Sequence, residues 1–148
     1  MVRSNEEYLS NSLEYVYKPE IGQRTQYTAN TGIAYMTAAN ANLDGTGTTY
    51  QVYRGLLTNG SLIKTITIKA EVTLAKGMVR LFAFDNASTT ILISEIEIPA
   101  RSQTGTQATY AISLEVDFML KYGWDLLAST EYANAIVVTA EGLDISFP

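Results

Sequence analysis

In ATYAISLEVDFML, residues 108 to 120, Tyr110, Ile112, Leu114, Val116, Phe118 and Leu120 alternate with Thr109, Ser113, Glu115 and Asp117. Successive side chains of an extended chain point to opposite faces, so this spacing gives one apolar face and one wet one, as in a half-buried antiparallel strand. The same period governs SLIKTITIKAEV, residues 61 to 72, where Leu62, Ile66, Ile68, Ala70 and Val72 oppose Thr65, Thr67, Lys69 and Glu71. From about residue 46 onward the dominant period is two, with Gly, Asn and Asp punctuating at short intervals. Adding IAYMTAA, YQVYRGLL, MVRLFAF, ILISEIEIP, WDLLAST and IVVTAEGLDISF brings the count to about eight strands and no helix. The pattern predicts an all-β fold, an antiparallel β-sandwich of jelly-roll type, with a closed barrel as the alternative.

The connections carry matching turn chemistry. Asn59-Gly60 offers the two positive-φ residues of a tight hairpin between YQVYRGLL and SLIKTITI, and Lys76-Gly77, Asp85-Asn86 and Tyr122-Gly123 supply further turns. Tyr50 and Tyr53 stand on opposite phases of TTYQVYRG, so one of them is expected to face solvent or a partner. Trp124 opens a strand at apolar spacing with Leu126 and Ala128, which points to the core.

MVRLFAFDN, residues 78 to 86, breaks the alternation by being apolar on both faces. Met78, Phe82 and Phe84 point one way, and Val79, Leu81 and Ala83 the other. The expectation is that Phe82's face closes the core, while Val79 and Leu81 meet another subunit or the N-terminal region. The alternative is a central strand covered on both faces within one chain, beneath a long loop.

Residues 1–30 are polar, lack sustained alternation and carry Tyr8, Tyr15, Tyr17 and Tyr27. They read as an N-terminal arm preceding a β-sandwich domain over residues 31–148, with those four tyrosines at an interface, where half-buried, half-wet rings are favoured. An extra edge strand is the competing reading. Ser4 and Glu7 have the spacing of a capping box that could open a short helix.

Composition removes several chemistries. The 148 residues include no Cys and no His, which takes away thiolate nucleophiles, the usual general base and most metal sites. No cofactor and no metal is expected, and no catalytic residue is nominated. The pairs Glu95/Glu97 and Glu115/Asp117 have the spacing of a strand's solvated side, and the Asp44 loop, NANLDGTGTTY, lacks the acidic repeat of a calcium loop. Ten Lys and Arg, scattered singly, against fifteen Asp and Glu give a net charge of −5, which disfavours nucleic acid. No apolar run approaches a membrane span and the opening residues lack a signal-peptide core, so no membrane partner is expected.

Two stretches, LIKTITIKAEVTLAKGMVRLFAFDN and GWDLLASTEYANAIVVTAEGLDISFP, carry a resemblance of pattern over residues 61 to 148. They resemble small all-β proteins encoded among the structural genes of tailed bacteriophages. The resemblance implies a virion component, an auxiliary or decoration protein of the capsid that forms homo-oligomers and contacts other virion proteins after assembly in the host cytoplasm. It brings no catalytic or ligand residues. A ligand-binding β module of fibre or glycan-binding type is the rival reading.

Overall fold

A computed structural model describes residues 24–147. Within them the chain forms eight strands: β1 (Gln26–Met36), β2 (Tyr50–Arg54), β3 (Ser61–Ala70), β4 (Gly77–Phe84), β5 (Thr90–Ile98), β6 (Ala111–Leu120), β7 (Asp125–Thr130) and β8 (Ile136–Ser146). They build two four-stranded antiparallel sheets, ordered β1-β8-β3-β6 and β2-β7-β4-β5, packed as a sandwich. The pairing is nested: β1 with β8, β2 with β7, β3 with β6, and β4 with β5. Every alternating stretch in the sequence became a strand, because each could bury one face against the opposite sheet.

The core lies between the sheets and is made by Met36, Ile63, Ile66, Ile68, Val138 and Ala140 from one side and Val79, Leu81, Leu126 and Ala128 from the other. Burying the Val, Leu, Ile and Met side chains among these contributes about 1.5–3 kcal/mol each. Trp124 is partly buried and packs against this cluster, as its spacing suggested.

Strand β4 answers the question its sequence raised. It lies between β7 and β5, and its odd face, Val79, Leu81 and Ala83, is buried in the sandwich core. Phe82 points away from that core yet is 0% exposed, and Arg80 beside it is buried with its Nε donating to Glu95 Oε1 at 2.9 Å. Both faces are therefore covered within one chain. The long β1–β2 loop is anchored on the strands either side of β4, Asn40 N–H donating to Thr130 O of β7 at 2.7 Å and Gly45 resting against the Thr90 side chain of β5. Val79 and Leu81, expected at a subunit contact, stand instead in the intrachain core, since the parity of the core face is odd rather than even.

Three further expectations are corrected by local geometry. Asn59-Gly60 does turn the chain, with Gly60 at φ 80°, but it carries β2 of one sheet to β3 of the other and makes no hairpin. A β-bulge between Gln51 and Tyr53 puts both Tyr50 and Tyr53 opposite inward-facing residues, Ala128 and Leu126, so neither is sent to solvent by parity. Likewise the inward face of β3 runs through Ile63, Ile66, Ile68 and Ala70, changing parity at an irregularity beside Lys64, while Val72 is exposed. The expected boundary at residue 30 falls inside β1, which begins at Gln26; Tyr8, Tyr15, Tyr17 and the Ser4–Glu7 box lie outside the described residues.

Candidate functional site, an open apolar seam

The two sheets meet tightly along one margin and stand apart along the other. On the β1/β2 side a Cβ added to Gly32 would lie 1.9 Å from the Val52 carbonyl oxygen, so only glycine permits the approach. There Tyr53 crosses between the sheets, its hydroxyl donating to Asp144 Oδ1 at 2.8 Å. Ser61 Oγ donates to the same oxygen at 2.6 Å, and Asn30 Nδ2 donates to Asp144 Oδ2 at 3.0 Å. Burial and the adjacent carboxylate push the Tyr53 phenol up to about 12. Tyr50 meets the opposite environment: its oxygen accepts the Thr37 and Ala38 N–H groups at 3.2 and 3.0 Å, and hydrogen bonds from Thr37 and Ala38 hold it below its usual value.

On the opposite side, among the described residues, β5 pairs only with β4 and β6 only with β3, leaving two edges with a slot between them. Two adjoining cavities of about 250 and 180 Å³ open here, sharing Ile93 and Phe118. The first is floored by Ile66 and Leu81 and walled by Leu114 and Val116; the second is floored by Ala83 and Leu120 and walled by Ile91, Met119 and Trp124. Ile91 is 47% exposed and Met119 52%, and Ile93 and Val116 are also exposed. Lys121, with its Nζ 5.8 Å from the Trp124 ring centroid, is the only charged residue among the described ones lining either cavity.

Register explains why the margin gapes. At the Ile63–Thr65 level β8 advances by one residue, β3 by two and β6 by three, so that sheet fans outward towards β6. Asp117 takes a positive φ of 41° in this bulge and pairs with Lys64. The other sheet does the same on its facing edge: between Leu81 and Phe82 of β4, β5 inserts Ile93. Bulges bend the strand that carries them and re-aim side chains. Both of these line the same cavity, and both interrupt an edge that could otherwise recruit a further strand. The acids noted in β5 are ion-paired away from both cavities, Glu95 with Arg80 and Glu97 with Lys76, each at 2.9 Å.

Two other surfaces stand out. At the closed margin, the outer face of the edge strand β1 exposes Tyr27, Ile33 and Tyr35 at 58, 65 and 54%. Tyr27, nominated from the sequence, is thus on a strand and accessible. A third cavity of about 370 Å³ carries charged groups: Tyr132, exposed, lies against Gly77, and Lys76, Met78, Glu97 and Glu131 complete the wall. The β1–β2 loop turns its polar groups inward, Asn40 Nδ2 donating to Thr46 O and Thr48 O at 2.8 and 2.7 Å and Asp44 Oδ1 accepting from Thr46.

Sequence reasoning missed the seam. Its walls come from strands of different sheets, which no single stretch of sequence brings together. The available signal was a local loss of alternation, Ile91-Leu92-Ile93 in β5 and Phe118-Met119-Leu120 in β6, three apolar residues in a row where only every second one can face the core.

Among the described residues no three Asp or Glu side chains stand together as a metal site, and no helix is long and apolar enough to cross a membrane. No known protein family matches this sequence, and no characterised protein matches it significantly.

Proposed function

We propose that this chain is a non-enzymatic structural component of a virus particle, an auxiliary or decoration protein of a tailed-bacteriophage capsid, acting through subunit contacts. The observation that carries the reading is the seam, where large apolar side chains stand exposed between two edge strands with almost no polar chemistry around them. Such a surface suits burial by a partner rather than turnover of a substrate. The nested pairing supports it: we read it as a jelly roll, a wiring used by viral capsid domains and by lectins. On this reading the chain assembles in the host cytoplasm and ends in the virion. Mass spectrometry and electron microscopy of purified particles from cells making this protein test it: the chain should be present in many copies per particle, and its absence from washed particles overturns the reading.

The Tyr132 cavity favours a second reading, a glycan-binding module, because an exposed ring beside carboxylates and an ammonium group can stack on and hydrogen-bond a sugar. Glycan-array binding lost in Tyr132→Ala would support it, and a blank array would count against it.

A further inference from the structure

We propose that the seam is the socket for a second copy of this chain, filled by the Ile33–Tyr35 stripe on that copy's β1, so that subunits join head to tail. This rests on the assembly reading above and names the partner of the same site. Four observations carry it.

Among the described residues the exposed large apolar side chains on strands gather at two places only: Tyr27, Ile33 and Tyr35 on β1, and Ile91, Ile93, Val116 and Met119 along the seam. One group stands out from a strand face and the other lines a slot, so they complement each other in shape. Ile33 and Tyr35 are two residues apart on one face, about 7 Å along a strand, and the seam offers two adjoining cavities that share Ile93 and Phe118. One side chain can enter each. The stripe on β1 and the β6 wall of the seam also lie at opposite margins of the sheet ordered β1-β8-β3-β6, about 14 Å apart across three strand spacings. A chain cannot bring its own stripe to its own seam, and a neighbour can. Finally, the bulges at Ile93 and Val116–Asp117 interrupt both edges, which disfavours backbone-to-backbone strand addition and leaves side-chain insertion as the way to cover the slot.

A contact between two different patches is heterologous. It leaves each copy with one used and one unused surface and closes into a ring or continues along a lattice, whereas a self-complementary contact stops at a dimer.

Complementation by sedimentation of the full chain separates these cases. Ile91→Glu spoils only the socket and Ile33→Glu only the stripe; Met119→Glu and Tyr35→Glu repeat the test at other exposed positions, and thermal melts confirm folding. The wild-type chain should associate beyond a dimer as its concentration rises. Each single variant should associate at least tenfold more weakly, and an equimolar mixture of one socket variant with one stripe variant should form a one-to-one dimer and go no further. A mixture that stays monomeric overturns the proposal, as does a wild-type chain that remains monomeric. A stripe variant that self-associates like wild type also overturns it, pointing to seam against seam. The particle measurement is independent: a chain found on purified heads whose variants fail to complement would refute this contact and leave the assembly reading standing.

Discussion

Along the β1/β2 margin the sheets are drawn together by a glycine against a carbonyl and by a buried tyrosine bonded to an aspartate on the opposite sheet. Along the β5/β6 margin, the same kind of alternating strands are interrupted by bulges, and among the described residues the slot between them is open. The floor of the open margin is nevertheless ordinary core. The difference teaches that a sandwich need not close evenly: close approach at one margin, set by the absence of a single Cβ, is compatible with a fan of extra residues at the other, and the opened side is where apolar surface becomes available.

Substitutions should distinguish the two margins, and the largest effect is expected between them, in β4, which is covered on both faces. Leu81→Asp and Phe82→Asp each bury an unpaired carboxylate, at a cost of several kcal/mol, so both should yield insoluble or unfolded protein. A soluble, cooperatively melting Phe82→Asp would mean that the face away from the core is open after all.

Next in size is Gly32→Ala. The added methyl cannot fit against Val52, and separating β1 from β2 should cost about 3 kcal/mol, read as a lowered urea midpoint. An unchanged midpoint would show that the closed margin has slack.

Tyr53→Phe removes one hydrogen bond to Asp144 and should cost about 1–2 kcal/mol near neutral pH. It should also change the alkaline limb of stability. The native phenol titrates at about 12, above the roughly 10 of an unfolded tyrosine. The neutral form's contribution is therefore fully present below pH ~10 and is lost as pH rises towards 12. The wild-type chain should lose stability over that window more steeply than Tyr53→Phe in paired unfolding titrations.

The smallest effect belongs to the open margin. Met119→Ala should shift stability by no more than about 1 kcal/mol, because half of the side chain is already in water. A loss as large as that of Gly32→Ala would make the seam part of the core and erase the contrast.

The eight strands were legible because alternation survives any tertiary context that buries one face. What alternation cannot report is a register shift. The bulge before Tyr53 reversed the reading of Tyr50 and Tyr53, and the irregularity beside Lys64 moved the buried face of β3 from Leu62 to Ile63. The two-faced character of β4 was plain in the sequence, but not which face was the core, since Phe82 and Leu81 are equally apolar and only the partners distinguish them. The start of β1 was hidden by its composition. QYTANTG has small and polar residues because this end is an exposed edge whose pairing with β8 is made by backbone, with Gly32 set by the neighbouring carbonyl. The seam, built from strands of opposite sheets, was legible nowhere in one stretch.

The nested pairing also sets an order of events in time. Only β4 and β5 are neighbours in both sequence and sheet, joined by a turn in which Asp85 Oδ1 accepts the N–H groups of Ala87, Ser88 and Thr89 at 2.8–2.9 Å. Every other pair brings together segments far apart along the chain, and β8 must slot between β1 and β3. A chain emerging from the ribosome can therefore zip its central hairpin early, but it cannot complete the sheet that holds β1 until residues 136–146 have been made. Until then the Ile33–Tyr35 strand has no sheet partner, so the head-to-tail contact proposed above would have to wait until a subunit's own synthesis has passed β8.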